Sequence, residues 1–105
     1  MIAADFFKDQ EDMLTGFRVT GHAGMADFGY DVCCASVSSA VMMAANTITE
    51  AFRLEAEVAV DENEIRLDMK NADDNADKVL MGLLIHLYNL NDEFPGHIKL
   101  KVSGR

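Results

Sequence analysis

The sequence predicts a single domain of the α+β class, a two-layer sandwich in which two helices cover one face of a mainly antiparallel sheet. First, its 105 residues are a usual length for one domain. Second, 50% of them are hydrophobic and 26% are charged, as in folded globular chains. Third, segments of alternating apolar and polar residues surround two segments of helical spacing, in the order ββαββαβ. We therefore treat residues 1–105 as one domain.

The chain opens with two extended segments, residues 2–7 and 13–20, which the acidic turn 9–12 joins into a hairpin. In the second segment Phe17 and Val19 share one face, so this strand is predicted to bury that face.

A helix is predicted next, over residues 31–52. Small apolar side chains recur there at intervals of three and four, at Cys33, Val37, Ala40, Ala44, Ile48 and Ala51. Two alternating strands follow, at 54–60 and 65–69, with residues 61–63 as the turn between them.

The second helix is predicted over residues 75–90, after the acidic side chains of Asp73, Asp74 and Asp77, which suit a helix start. The pair Pro95-Gly96 then turns the chain into a last alternating strand, at 98–102.

Charge and hydropathy restrict the function. The formal charge of −9 argues against direct nucleic-acid binding and favours basic partners or plain solubility. The apolar runs 32–45 and 79–87 are too interrupted or too short to span a bilayer, so no membrane anchor is expected. Residues 1–5 have no features of a secretory signal, which predicts a cytoplasmic protein.

The adjacent residues Cys33 and Cys34 are expected to remain thiols, because neighbouring Cα atoms lie about 3.8 Å apart and a normal disulfide needs about 4.4 Å or more. With Asp31 as N-cap, both would lie in the first helical turn, where a thiolate is stabilised. Helical phase places Cys33 towards the sheet and Cys34 on an edge with Ser38. Buried structural thiols are the alternative.

The loop before this helix, residues 23–30, carries Gly24 and Gly29 and lacks apolar periodicity, which predicts that it is poorly ordered or displaced without substrate and closes only on a bound peptide. His22 enters it from the second strand and could serve a nucleophilic Cys34 as base. A metal site is not expected, since consecutive cysteines on a helix diverge. His86 and His97 are expected to be structural or surface residues.

These residues form a recognisable pattern: Gly21-His22-Ala23, then Gly29-x-Asp31, then Cys34-x-x-x-Ser38. The pattern resembles the signature of the bacterial ribosomal-processing cysteine protease family, and the likeness extends over the whole chain. Cys33 departs from it, because the family usually has an aliphatic residue there.

The resemblance implies roles for individual residues. His22 would be the catalytic base and Cys34 the nucleophile, while Asp31 and Ser38 would be supporting residues. The glycine-hinged loop supplies the remaining candidates for substrate contact, Gly21, Ala23, Gly24 and Gly29.

The resemblance also implies a substrate and an assembly. The enzyme would cleave a short N-terminal extension from the precursor of a large-subunit ribosomal protein, which permits ribosome assembly, and it would act as a small homodimer without cofactors. Two other functions stay open, a non-catalytic thiol redox switch and a ribosome-associated binding dimer. Loss of His22 would inactivate a protease, whereas a thiol switch would tolerate it.

Overall fold

A computed structural model describes residues 1–21 and 28–104, with the side chains of residues 28–31 left aside. It has five strands and two long helices in the predicted order ββαββαβ, which confirms the fold class. The elements are β1 (Ile2–Lys8), β2 (Leu14–Thr20), α1 (Phe28–Asn46), β3 (Ala56–Val60), β4 (Glu64–Met69), α2 (Asp74–Glu93) and β5 (Ile98–Gly104).

The five strands form one mixed sheet in the order β3-β4-β2-β1-β5. The pairs β1–β2, β2–β4 and β3–β4 are antiparallel, and the two predicted hairpins are confirmed. The last strand, β5, instead pairs parallel with β1. The first strand of the chain therefore lies inside the sheet, and the last strand forms an edge.

Alternation along the strands sorts side chains between the two faces of the sheet. On the face towards the helices, Ile2 and Phe6 of β1 and Phe17 of β2 are fully buried. The Phe6 and Phe17 rings contact each other at a centroid distance of 6.2 Å. The opposite face is polar, and there Arg18 binds Glu64 at 2.8 Å.

Helix α2 begins as its acidic residues predict. Asp73 is its N-cap, and its side chain accepts hydrogen bonds from the backbone amides of Asn75 and Ala76 at 2.8 and 3.1 Å. One turn later Asp77 accepts a hydrogen bond from the Leu14 amide at 2.8 Å, which ties the helix start to β2.

Helix α1 continues into a π-helical turn, Thr47–Ala51, so the helical run ends close to the predicted position. The run Val32–Ala51 is 20 residues long with a mean hydropathy of 1.4, and by length and composition alone it could cross a membrane. The core helices of soluble proteins meet the same criterion. Here Val37, Val41 and Ile48 belong to the same buried cluster as the strands, which is the packing of a core helix.

The beginning of α1 differs from the prediction. The helix starts at Phe28, so Gly29 lies inside its first turn and Asp31 is not the N-cap. The error arose because Phe28-Gly29-Tyr30 contains a glycine and lacks apolar periodicity, and such a segment is typical of a loop.

Candidate active site

Gly21 directly follows β2 and precedes His22. Its φ angle is +83°, and a Cβ atom at this position would collide with the carbonyl oxygen of Met1. Its amide donates a hydrogen bond to the carbonyl oxygen of Asn63, in the β3–β4 turn, at 3.3 Å. Only glycine fits both the backbone angle and the space, so this residue fixes where the His22 segment leaves the sheet.

The two cysteines lie side by side on α1 and differ little in burial. Cys33 is fully buried, which confirms that it faces the core, and Cys34 is only 8% exposed. Both are thiols and both belong to the hydrophobic cluster. Cys34 is therefore less accessible than its predicted position on the edge towards the loop suggests.

The position of the thiols along α1 corrects the predicted source of activation. Because the helix begins at Phe28, Cys33 and Cys34 lie in its second turn rather than its first. The open backbone N–H groups of a helix belong to its first residues, and the dipole effect weakens beyond the first turn. The helix start thus offers hydrogen-bond donors one turn ahead of Cys34, but not at Cys34 itself.

Burial separates the chemistry of the two thiols. Desolvation raises the pKa of the Cys33 thiol, and negative charge on Cys34 raises it further. Cys33 therefore stays protonated at neutral pH, in the state least suited to nucleophilic attack. Of the two thiols, this leaves Cys34 as the candidate nucleophile.

The other predicted site residues are distributed as follows. Ser38 lies one turn after Cys34 on α1 and is partly buried. His22, Ala23 and Gly24, together with the predicted motion of their loop, lie outside the described residues, as does the Asp31 side chain. Of the predicted loop 23–30, residues 28–30 are helical.

A groove of about 800 Å³ lies between α1 and α2, and no pattern in the sequence predicted it. Ser36 and Ala40 line it from α1, and Gly82 and His86 from α2. His86 is exposed there, which confirms its expected surface position. The small residues that line this space are Ser36, Ser39, Ala40 and Ala44 of α1 and Gly82 of α2, and those of α1 are the signal that could have indicated it.

Comparison with known proteins identifies the family of this chain. A model of the family described as "Cysteine protease Prp" matches residues 1–99. The chain belongs to this family. The resemblance found in the sequence is thereby confirmed, and the protein is a cysteine protease.

Relatives of the Prp family match over nearly the full length. The ribosomal processing cysteine protease Prp of Staphylococcus aureus strain Mu50 is 25% identical over 103 residues, which are 95% of this chain and 97% of the relative. A crystal structure of the S. aureus protease Prp with a substrate peptide has a TM-score of 0.90 at 22% identity, covering 98% of this chain and 100% of that one. SMU.848 from Streptococcus mutans has a TM-score of 0.87 at 23% identity, with 100% and 96% covered.

Proposed function

We propose that this Prp-family protein removes the short N-terminal extension from the precursor of a large-subunit ribosomal protein. The observation that carries the proposal is the family match over residues 1–99, in which the Gly21-His22-Ala23 and Cys34-x-x-x-Ser38 motifs both lie. The S. aureus relatives are described as ribosomal processing proteases, and one structure holds a substrate peptide. Both support a peptide substrate of this kind.

In the proposed mechanism the Cys34 thiolate attacks the scissile carbonyl carbon, and the resulting oxyanion accepts hydrogen bonds from backbone N–H groups at the start of α1 or in the preceding loop. His22 gives its proton to the leaving amine, which departs as the new N-terminus. His22 then takes a proton from water, whose oxygen attacks the thioester and releases the new carboxyl group. Cys34 leaves as the thiolate.

Asp31 and Ser38 would support catalysis by positioning His22 and Cys34. Asp31 is a candidate to orient His22, because the start of α1 at Phe28 removes its competing role as N-cap. Ser38 is a candidate to support Cys34 from the next turn of the helix.

We also infer that the protein acts as a homodimer in the cytoplasm. Met43 on α1 and Ile85 and Tyr88 on α2 are 66%, 54% and 50% exposed, and a second copy would cover them. Met42, the neighbour of Met43, does not belong to this surface, because it is partly buried and packs against the core.

The deciding experiment incubates the protein with the precursor ribosomal protein from the same genome and measures product masses. The wild type and Cys33→Ala are expected to release one N-terminal peptide, and Cys34→Ala and His22→Ala none. Cleavage by Cys34→Ala would refute the assignment. A thiol switch would show no cleavage by any of these chains.

A further inference from the structure

Strand β3, at one edge of the sheet, has a row of backbone groups that point away from its neighbour β4. The residue pairs Asp61–Glu64 and Glu55–Lys70 are hydrogen-bonded pairs of this ladder. Because such pairs alternate along antiparallel strands, Glu57 and Ala59 also bond to β4. The amides and carbonyls of the residues between them therefore face outward, at Ala56, Val58 and Val60.

The side chains of β3 give this edge two different faces. Val58 and Val60 lie on the helix side of the sheet, opposite the buried Leu67 and Ile65, yet they are 41% and 58% exposed. Glu57 lies on the opposite, polar face and is exposed. An added strand would thus meet an apolar row on one side and carboxylates on the other.

The charge of this region selects the partner. Residues 54–64 contain five acidic residues and no Lys or Arg. Glu55 forms a salt bridge with Lys70 at 3.5 Å, whereas the exposed carboxylate of Glu57 can face a basic side chain of an incoming strand. The edge therefore complements a basic segment.

Pairing of β3 with its own copy would oppose like charges. In a two-fold antiparallel pair centred on Val58, Glu55 would face Asp61 of the second copy. In a pair centred on Glu57, the two Glu57 side chains would face each other, and in a pair centred on Ala59, Glu57 would face Asp61 of the second copy. Like charges directly opposite each other destabilise a strand pair, so the second copy is the disfavoured occupant.

The end of β3 that leads into the β3–β4 turn is on the same side of the sheet as Gly21, where the candidate site begins. The β3–β4 turn, through Asn63, binds the backbone of Gly21, the residue before His22. In the order β3-β4-β2, the edge strand is two strand spacings from β2, which is about 10 Å. A peptide covers that distance with about three extended residues.

We propose that the β3 edge binds, by strand addition, a basic extended segment of the substrate that flanks the scissile bond. The inference rests on the proposed function and adds a specificity element to it. Residues of the segment would alternate, with apolar side chains against Val58 and Val60 and basic ones towards Glu57.

Binding is tested apart from cleavage, on ¹⁵N-labelled Cys34→Ser protein titrated with the octapeptide (Lys-Val)₄ and, as a control, (Glu-Val)₄. We expect amide shifts largest at Ala56, Val58 and Val60, with the lysine peptide only. Val58→Pro removes an outward amide without touching the β4 ladder and should weaken binding roughly fivefold or more, as the loss of one hydrogen bond does. Val58→Thr keeps that amide and changes only the apolar contact, so it should weaken binding less than Val58→Pro. Absence of shifts on β3, or equal shifts with both peptides, would overturn the proposal.

A second experiment measures kcat/KM for cleavage of the precursor. Glu57→Gln should lower kcat/KM by roughly two- to fivefold through KM, the range for one exposed ion pair. Glu11→Gln makes the same charge change in the β1–β2 turn, at the far end of the sheet, and should have no effect. Equal kinetics for the two variants would contradict the inference, whereas a wild type that does not cleave would refute the proposed function alone. Self-association that Val58→Pro abolishes would assign the edge to a second copy and overturn the proposal.

Discussion

Replacing Gly21 by alanine tests whether this residue aligns the His22 segment. The new Cβ atom meets two obstacles. The φ angle of +83° is unfavourable for a residue with a side chain, and the carbonyl oxygen of Met1 occupies the space. Gly96 offers a matched control, because its φ angle is +82° and nothing lies within 4 Å of the position of its Cβ.

The two variants separate strain from collision. The left-handed conformation costs a residue other than glycine about 1–2 kcal/mol, and this cost applies to both variants. Gly21→Ala must in addition displace β1 near Met1, which adds about 1–3 kcal/mol if the cost is similar to that of overpacking. For a domain of this size each kcal/mol lowers Tm by about 4–8 °C. Gly96→Ala should therefore lose up to about 16 °C, and Gly21→Ala clearly more.

Circular dichroism melts measure both Tm values, and precursor cleavage at a temperature where both variants are folded measures the alignment of the site. Gly96→Ala should retain wild-type kcat/KM, and Gly21→Ala should lose most of it, because the chain leaves the sheet in a different direction. Equal melting temperatures, or an active Gly21→Ala, would refute the role assigned to Gly21.

Three further outcomes are expected. Asp73→Ala removes both capping bonds of α2 and should lower the free energy of unfolding by about 1 kcal/mol in urea titrations, whereas Asp74→Ala should change it less. Folding raises the pKa of Cys33, so the stability that the protonated thiol contributes is full below the pKa of the unfolded thiol, about 8.5, and is lost as pH rises through the folded value. Cys33→Ala should therefore reduce the loss of stability at alkaline pH in thermal melts. An unchanged dependence of Tm on pH would contradict the burial argument. The kcat/KM for a basic precursor should fall between 0.01 M and 0.1 M salt, as the Debye length shrinks from about 30 Å to about 10 Å, and a neutral peptide with the same cleavage site should respond much less.

Most of the fold could be predicted because apolar residues recur periodically along its strands and helices. Phe17 and Val19 alternate with polar residues and are buried as expected, and the carboxylate of Asp73 caps the helix that its position indicates. Parallel pairing of β5 with β1 joins the two ends of the chain, and no local pattern records such a long-range contact. The sequence could indicate the strand but not its partner.

The candidate site was predictable in its residue types and less so in its geometry. The order of Gly21, His22 and Cys34 indicates thiol chemistry, and the family match agrees with it. The start of α1 was predicted too late in the sequence. The glycine of Phe28-Gly29-Tyr30 disfavours a helix locally, yet these three residues belong to the first turn of α1. The burial of Cys34 depends on packing against other elements, which helical phase alone does not describe.

The pairing of β1 with β5 has a consequence for biosynthesis. Among the five strands, β1 is synthesised before the others, yet one of its two neighbours, β5, is synthesised after them, and the Ile2 amide donates a hydrogen bond to the carbonyl oxygen of His97 at 2.9 Å. Until residues 98–104 have been synthesised, β1 is an unprotected edge of the sheet. Contacts between distant parts of a chain slow folding. The sheet is therefore expected to be completed only once strand β5 is available.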